Sequence, residues 1–272
     1  MKSFLFVSAF AMLVIAGFTL SGCHKGQNIH PCAPACQITK VMGDLGRNGE
    51  HSFDIIYNNK GNPVSMLRSN VGIGRPNFVF RYDHKGRLTD FYGVYSAPGQ
   101  PDPSSSYEAW HKYYYDAKNR IILDSTFDFG TIGSDNEPIP NTIRYPNGVM
   151  NISTYVYDSQ NRIIKSTDTQ GSNTTIRTLL YTYNNAGNLE SVLDPSVEPG
   201  SMPQYFFDNK INYHRLNGIW QFLDRDYSVN NPMPADTYNS YGLPIVINLP
   251  SHYTGYFVTT NFSHAEFEYS CK

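Results

Sequence analysis

The feature that most constrains this chain is a recurring tyrosine followed by a turn. Aligned on that residue, the copies read YNNKGNPV from Tyr57, YDHKGRLT from Tyr82, YDAKNRII from Tyr115, YDSQNRII from Tyr157, YNNAGNLE from Tyr183 and YNSYGLPI from Tyr238. A weaker copy, FDNKINYH, starts at Phe207. The position after the anchor is Asp or Asn in every copy: Asn58, Asp83, Asp116, Asp158, Asn184, Asp208 and Asn239. The fourth position after it is Gly or Asn, except for Ile211 in the weak copy. Asp or Asn at the head of a type I turn bonds its side chain to the backbone ahead, and the fourth position then needs positive φ. Glycine takes that conformation freely and asparagine tolerates it. Each copy therefore predicts a hairpin with a type I turn and a bulge.

The residues before the turns alternate in character, as strands with one buried face do. Phe53, Ile55 and Tyr57, Phe78, Phe80 and Tyr82, Tyr113 and Tyr115, Tyr155 and Tyr157, and Leu179, Tyr181 and Tyr183 mark the apolar face. Ser52, Asp54, Arg81, Lys112, Thr154, Thr178 and Thr182 fall between them. No helical apolar pattern of useful length follows the N-terminal run. The expectation is an all-β, antiparallel up-and-down meander of about 14 strands, two per copy, curling into a closed or nearly closed barrel that hides its edges. The Pro, Gly and Ser rich stretches at 96–106 and 130–141 read as loops at one rim.

The N-terminus carries a second instruction. Lys2, an apolar run from Phe4 to Leu20 and the sequence Leu20-Ser21-Gly22-Cys23 read as a secretory signal. The LSGC segment resembles a bacterial lipobox, which implies removal of residues 1–22 and lipidation of Cys23. Residues 23–36 then form a polar tether, and 37–272 a single β-domain. Two or more acyl chains suffice for stable anchoring.

The remaining cysteines, Cys32, Cys36 and Cys271, would lie in an oxidising compartment. In a sheet that closes on itself the first and last strands are neighbours, so the expected bridge is Cys36 to Cys271. Pairing of Cys32 with either stays the competing arrangement. His24, His30, Cys32 and Cys36 contain metal-ligand residue types, but their proline-containing segment offers no rigid frame, so no metal or other cofactor is expected.

The YDHKGRL type of copy resembles the YD repeat of secreted bacterial Rhs-type shells, whose strands wind into a hollow β-structure. The copies here are fewer and unevenly spaced, so no enclosing shell is implied. A likeness covering most of the chain after Cys23 is to uncharacterised Bacteroidota lipoproteins with a porin-like β-fold. It rests on the lipobox, the scattered hairpins, FDNKIN (207–212), TYNSYGLP (237–244) and the final FEYSC (267–271). That resemblance implies an architecture and an outer-membrane address, and it carries no functional residues, because the family has no assigned activity; the segment after Cys23 lacks both an inner-membrane retention Asp and an acidic export tag, which slightly favours the periplasmic face of the outer membrane.

Chemistry leaves little trace in the sequence. Net charge is −2 and no basic block occurs, so nucleic acid is not an expected partner. HExxH, P-loop and GxSxG motifs are absent, and GIGRP (72–76) lacks the rest of a dinucleotide fingerprint. His84 reads as a turn residue of the second copy, His252 and His264 as polar surface positions in the C-terminal strands, and the repeat aspartates as turn formers rather than calcium ligands or glycosidase acids. Trp110 and Trp220 could stack on sugar rings, but core packing is the simpler use of both. The leading expectation is a lipid-anchored, non-enzymatic binding or scaffold protein for an envelope protein or glycan, with no catalytic residues. Its alternatives are a polysaccharide-acting hydrolase of the envelope and an integral outer-membrane barrel.

Overall fold

The computed structural model describes residues 33–45, 51–96, 106–170, 174–196, 206–250 and 253–272. The signal segment, Cys23 and Cys32 lie outside the described residues, as do residues 97–105 of the predicted rim loop 96–106. The strands are β1 (Cys36–Gly43), β2 (His51–Tyr57), β3 (Pro63–Arg68), β4 (Asn77–Tyr82), β5 (Leu88–Val94), β6 (Ser106–Tyr115), β7 (Ile121–Ile132), β8 (Pro138–Pro140), β9 (Asn151–Tyr157), β10 (Ile163–Gln170), β11 (Thr174–Tyr183) and β12 (Leu189–Leu193). A 3-10 turn (Tyr213–Leu216) and helix α1 (Gly218–Asp224) follow, then β13 (Thr237–Tyr238), β14 (Pro244–Asn248), β15 (Gly255–Phe257), β16 (Thr260–Phe262) and β17 (His264–Cys271).

All strands except the β15–β16 hairpin belong to one antiparallel meander. Its order runs from β12 through β11, β10, β9, β7, β6, β5, β4, β3, β2 and β1 to β17, β14 and β13, with β8 off this path and paired with β7. The sheet does not close: β12 and β13 are its two edges. In the register of β1 with β17, Cys36 stands opposite Cys271, and the two form a disulfide.

Each hairpin turn has the chemistry its residues dictate. In the Tyr157 copy, Asp158 N–H donates to Arg162 O at 3.0 Å, and Asp158 Oδ1 accepts from the N–H groups of Gln160 (2.8 Å) and Arg162 (2.9 Å). Asn161 sits at φ 61°, where Gly61, Gly86, Gly187 and Gly242 sit at 76–80° in their own copies. The Asp158 carboxylate also receives the Arg162 guanidinium at 2.8 Å, an arrangement repeated by Asp83 with Arg87 and Asp116 with Arg120. The backbone N–H of Arg87 and then its side chain hold the Asp83 carboxyl below its ordinary range.

The repeat also couples neighbouring hairpins, a role the sequence does not reveal. The anchor hydroxyl of one copy donates to the carbonyl six residues past the anchor of the copy before it. Tyr82 reaches Pro63 O (2.6 Å), Tyr115 Leu88 O (2.8 Å), Tyr157 Ile121 O (2.7 Å) and Tyr183 Ile163 O (3.0 Å). The turn arginine meanwhile lies over the next anchor ring: Arg87 on Tyr115 at 4.7 Å, Arg120 on Tyr157 at 4.9 Å, Arg162 on Tyr183 at 4.0 Å. Replacing Tyr157 by Phe is expected to cost about 1 kcal/mol in a denaturant titration, the net worth of one such bond. The same change at half-exposed Tyr114 should be silent, and equal effects at both positions would remove the coupling.

Two segments depart from expectation. The stretch 130–141 is not a rim loop: β7 runs on to Ile132 and turns through Gly133–Asn136 into β8, with Asn136 at φ 62°. This is the same turn, disguised because Ile132 replaces the tyrosine and Gly133 the Asp. The weak copy at Phe207 does not form a hairpin. Ile211 cannot take the positive φ that the fourth position needs, and the chain instead enters the 3-10 turn, capped by Asn212, whose side chain accepts from His214 N–H.

Helix α1 fills the inside of the curled sheet. Asn217 caps it by accepting from Ile219 N–H, and the buried residues are Trp220, Phe222 and Leu223. Trp220 is fully buried, with its ring 5.8 Å from Phe80 of β4 and 5.3 Å from Phe257 of β15. Phe222 meets Tyr113 of β6 and Tyr155 of β9 edge-on at 5.3 and 5.4 Å. Arg225 Nη2 donates to Tyr155 Oη at 2.6 Å. One short helix therefore contacts strands from across the meander, which fixes its curvature. Trp110 is also fully buried, but on the opposite face of the sheet. There Tyr92 stacks on it at 3.9 Å, and its indole N–H donates to Asp90 at 2.8 Å.

Candidate functional site

At the turn end, the gap between the two sheet edges is bridged by residues 226–231. Asn188 Nδ2 donates to Asn230 Oδ1 at 3.0 Å, Asn230 N–H returns to Asn188 Oδ1 at 2.9 Å, and Leu189 N–H donates to Ser228 Oγ at 3.0 Å. Beside this bridge is a cavity of about 480 Å³, within the size range of small-molecule sites. Leu189 lines it from one edge of the sheet, and Asp236, Asn248 and Leu249 from the side of the other. Its aromatic lining is Phe206, Tyr213, Tyr253 and Tyr256, and prolines 232, 234 and 250 complete a mainly apolar wall. Phe206 and Tyr253 meet edge-on at 5.1 Å.

The innermost polar group is His214, only 2% exposed. Its Nε2 lies 2.9 Å from Asp224 Oδ2, and its Nδ1 lies 3.3 Å from Asp226 Oδ2 and 3.0 Å from Asn212 Oδ1. Burial alone would lower the pKa of His214. The two carboxylates outweigh it and raise the value to about 9. Burial would push the Asp226 carboxyl up, but bonding and attraction to the imidazolium, with the Ser228 bonds, take it below its ordinary value.

Asp224 has a further task. Its Oδ2 accepts from Val258 N–H at 2.8 Å and its Oδ1 from Thr259 N–H at 3.0 Å. Those residues form the two-residue loop between β15 and β16, with φ of 47° and 63°. A hairpin loop of that length favours positive φ at both positions, which β-branched residues resist. The carboxylate compensates by satisfying both N–H groups at once. Asp226 is equally occupied: Oδ2 accepts from Asn212 Nδ2 at 2.8 Å and Oδ1 from Ser228 N–H at 2.9 Å.

Chemically, this arrangement is a clamp. Two carboxylates converge on the cavity, the pattern a glycosidase would need, but glycoside hydrolysis requires one of them to hold a proton near neutrality. Here each carboxylate oxygen already has a donor, and a buried histidinium sits between the pair.

The residues singled out in the sequence lie elsewhere. The aspartates at 83, 116 and 158 are consumed by their own turns. His264 Nδ1 is 2.7 Å from Asn248 Oδ1, and His252 lies outside the described residues. Trp110 and Trp220 are buried and offer no face to a sugar. Among the described residues no cluster of His, Cys, Asp or Glu could hold a metal ion. His24, His30 and Cys32 lie outside the described residues, and Cys36 is bridged to Cys271. The residues that converge, His214, Asp224 and Asp226, were not singled out. Their only sequence signal is His214 before and Asp226 after GIWQFLD, whose last residue is Asp224, a grouping visible only once that segment is read as a helix.

A model of the RHS repeat matches residues 157–196, the hairpins of Tyr157 and Tyr183. No curated protein matches the chain. Among solved structures, a porin-like protein from Bacteroides uniformis is similar at 9% identity and a TM-score of 0.37, over 86% of this chain and 98% of that one. The TcdB2-TccC3-TEV structure is similar at 15% identity and a TM-score of 0.31, over 58% of this chain. The Tc holotoxin pore of Photorhabdus luminescens is similar at 15% identity and a TM-score of 0.20, over 75% of this chain. The chain spans 6% and 12% of the length of those two toxin chains.

Proposed function

We propose that this is a lipid-anchored protein of the bacterial outer membrane whose β-domain binds an envelope protein or glycan at the mouth of the cleft and catalyses no reaction. The observation that carries the non-catalytic reading is the occupancy of the Asp224 and Asp226 carboxylates: they hold His214, Asn212 and three backbone N–H groups in place. A protein that binds without turnover needs a shaped cavity on a stiff frame, and the repeat-built sheet supplies one.

The anchor reading rests on Leu20-Ser21-Gly22-Cys23. Its preference over an integral barrel draws on the outer face of the sheet, which carries Lys40, Asp54, Lys165, Glu266 and Glu268. Charges facing lipid cost about 2–4 kcal/mol each for Lys at mid-bilayer depth, and open strand edges are not tolerated there. Changing Cys23 to Ala is expected to move the protein from the detergent phase to the aqueous phase after phase separation of cells. Retention in the detergent phase would overturn the anchor. Crosslinking in intact cells, followed by mass spectrometry of adducts at Tyr256, tests for the envelope partner, and an adduct-free Tyr256 would count against this site.

A further inference from the structure

We infer that the cavity between the sheet edges takes a small amphiphilic cation: an apolar body ending in an ammonium group. The inference rests on the reading of this cleft as a binding site, and it assigns the interior of the cavity, beneath the mouth where the envelope partner binds, a ligand other than a glycan.

The first constraint is the wall. Four aromatic side chains and three prolines dominate it, so a ligand buried here loses water without regaining many hydrogen bonds. A free sugar, with a hydroxyl on nearly every carbon, would leave polar groups unpaired at a cost of about 1–3 kcal/mol each. The inner polar groups cannot help, because Asp224 and Asp226 spend their oxygens on His214, Asn212 and backbone N–H groups. The occupant is therefore mostly apolar.

The second constraint is charge. The ionisable residues lining the cavity are Asp224, Asp226, Asp236 and His214, and neither lysine nor arginine lines it. With the imidazole protonated, three negative charges against one positive leave −2 in a largely apolar surround, where fields are poorly screened. Aromatic faces add their own attraction for a cation. Tyr256 is 52% exposed at the mouth, while Tyr213 is fully buried on the inner side, with its hydroxyl donated to Tyr256 O at 3.0 Å. Asp236 is exposed at the rim and bonded to the Asn248 amide, which leaves it the carboxylate best placed to meet an incoming ammonium.

The test uses two probes of the same shape. Phenyltrimethylammonium and tert-butylbenzene differ by a nitrogen for a carbon and hence by one positive charge. Titrated into the purified full-length protein and followed by NMR chemical shifts of the tyrosine rings, the cation is expected to bind about tenfold more tightly than the neutral probe at low salt. Asp236→Asn should reduce that ratio about threefold, and Tyr256→Ala should weaken the cation more than the hydrocarbon; neither residue belongs to the His214 clamp. Equal or tighter binding of tert-butylbenzene would overturn the charge preference while leaving the cleft a binding site. Binding of neither probe would overturn this inference, while the envelope partner at the mouth stands or falls separately on the Tyr256 crosslinking.

Discussion

Replacing Cys271 with Ser is expected to lower the melting temperature of the β-domain by about 10 to 20 °C. The bond joins residues 235 apart in sequence. A bridge of that span removes loop-closure freedom from the unfolded chain worth about 5 kcal/mol in the chain-entropy model. In a domain of this size each kcal/mol moves the midpoint by about 2–4 °C. The location strengthens the expectation. Cys36 and Cys271 are opposed in the β1–β17 ladder, which attaches the C-terminal strands β17, β14 and β13 to the rest of the meander. Scanning calorimetry of Cys36→Ser, Cys271→Ser and the double variant should give three nearly equal losses, since any one change removes the same bond. A wild-type midpoint in the single variants would show that the ladder and the Phe267 core contacts close the sheet unaided.

That position illustrates why some of this molecule is legible in its sequence. A turn is a local object: Asp158 and Asn161 specify theirs within five residues, and the alternation of Tyr155 and Tyr157 states which face is buried. Once strands follow one another as a meander, their neighbours follow from chain order, and the strand pairs β1 to β7 and β9 to β12 match that reading. What local reasoning misses are interactions whose partner lies in another unit. The hydroxyl of Tyr157 bonds a carbonyl 36 residues earlier, and no property of the tyrosine alone names that acceptor.

Helix α1 was hidden for a different reason. Its seven residues make about two turns, too few for helical periodicity to stand out against chance. Its stability comes from tertiary burial of Trp220 and Phe222 rather than from propensity, as for most short helices. The cavity inherits this blindness, because α1 and the segments around it carry Asp224, Asp226 and His214. The copy disguised at Gly133 shows the converse: the turn geometry survives the loss of both signature residues when Asn136 keeps the positive φ.

The second large effect concerns the clamp. Replacing His214 with Ala should cost about 3–5 kcal/mol, because it leaves two buried carboxylates without their cation. The wild-type protein carries a pH signature of the same interaction. His214 has a folded-state pKa of about 9 against 6.5 for the free side chain. A group whose pKa is raised on folding contributes fully below its unfolded value and loses that contribution as pH climbs through the folded value. The loss therefore falls between pH 6.5 and about 9 and amounts to about 3 kcal/mol. Asp226 works in the opposite sense: its pKa is lowered, so its contribution is present above the usual carboxylate range and fades as pH falls into it. Urea denaturation from pH 6 to pH 10 should show the midpoint declining in the wild type and a much flatter line in His214→Gln, which keeps hydrogen bonding but cannot titrate. Asp224→Asn should also flatten the curve and, by loosening the Val258–Thr259 loop, weaken protection of those two amides against hydrogen exchange. Parallel declines in the wild type and His214→Gln would place the titrating group elsewhere, whereas divergence confined to the alkaline arm identifies the imidazolium between Asp224 and Asp226 as the group that locks the 3-10 turn to the C-terminal end of helix α1.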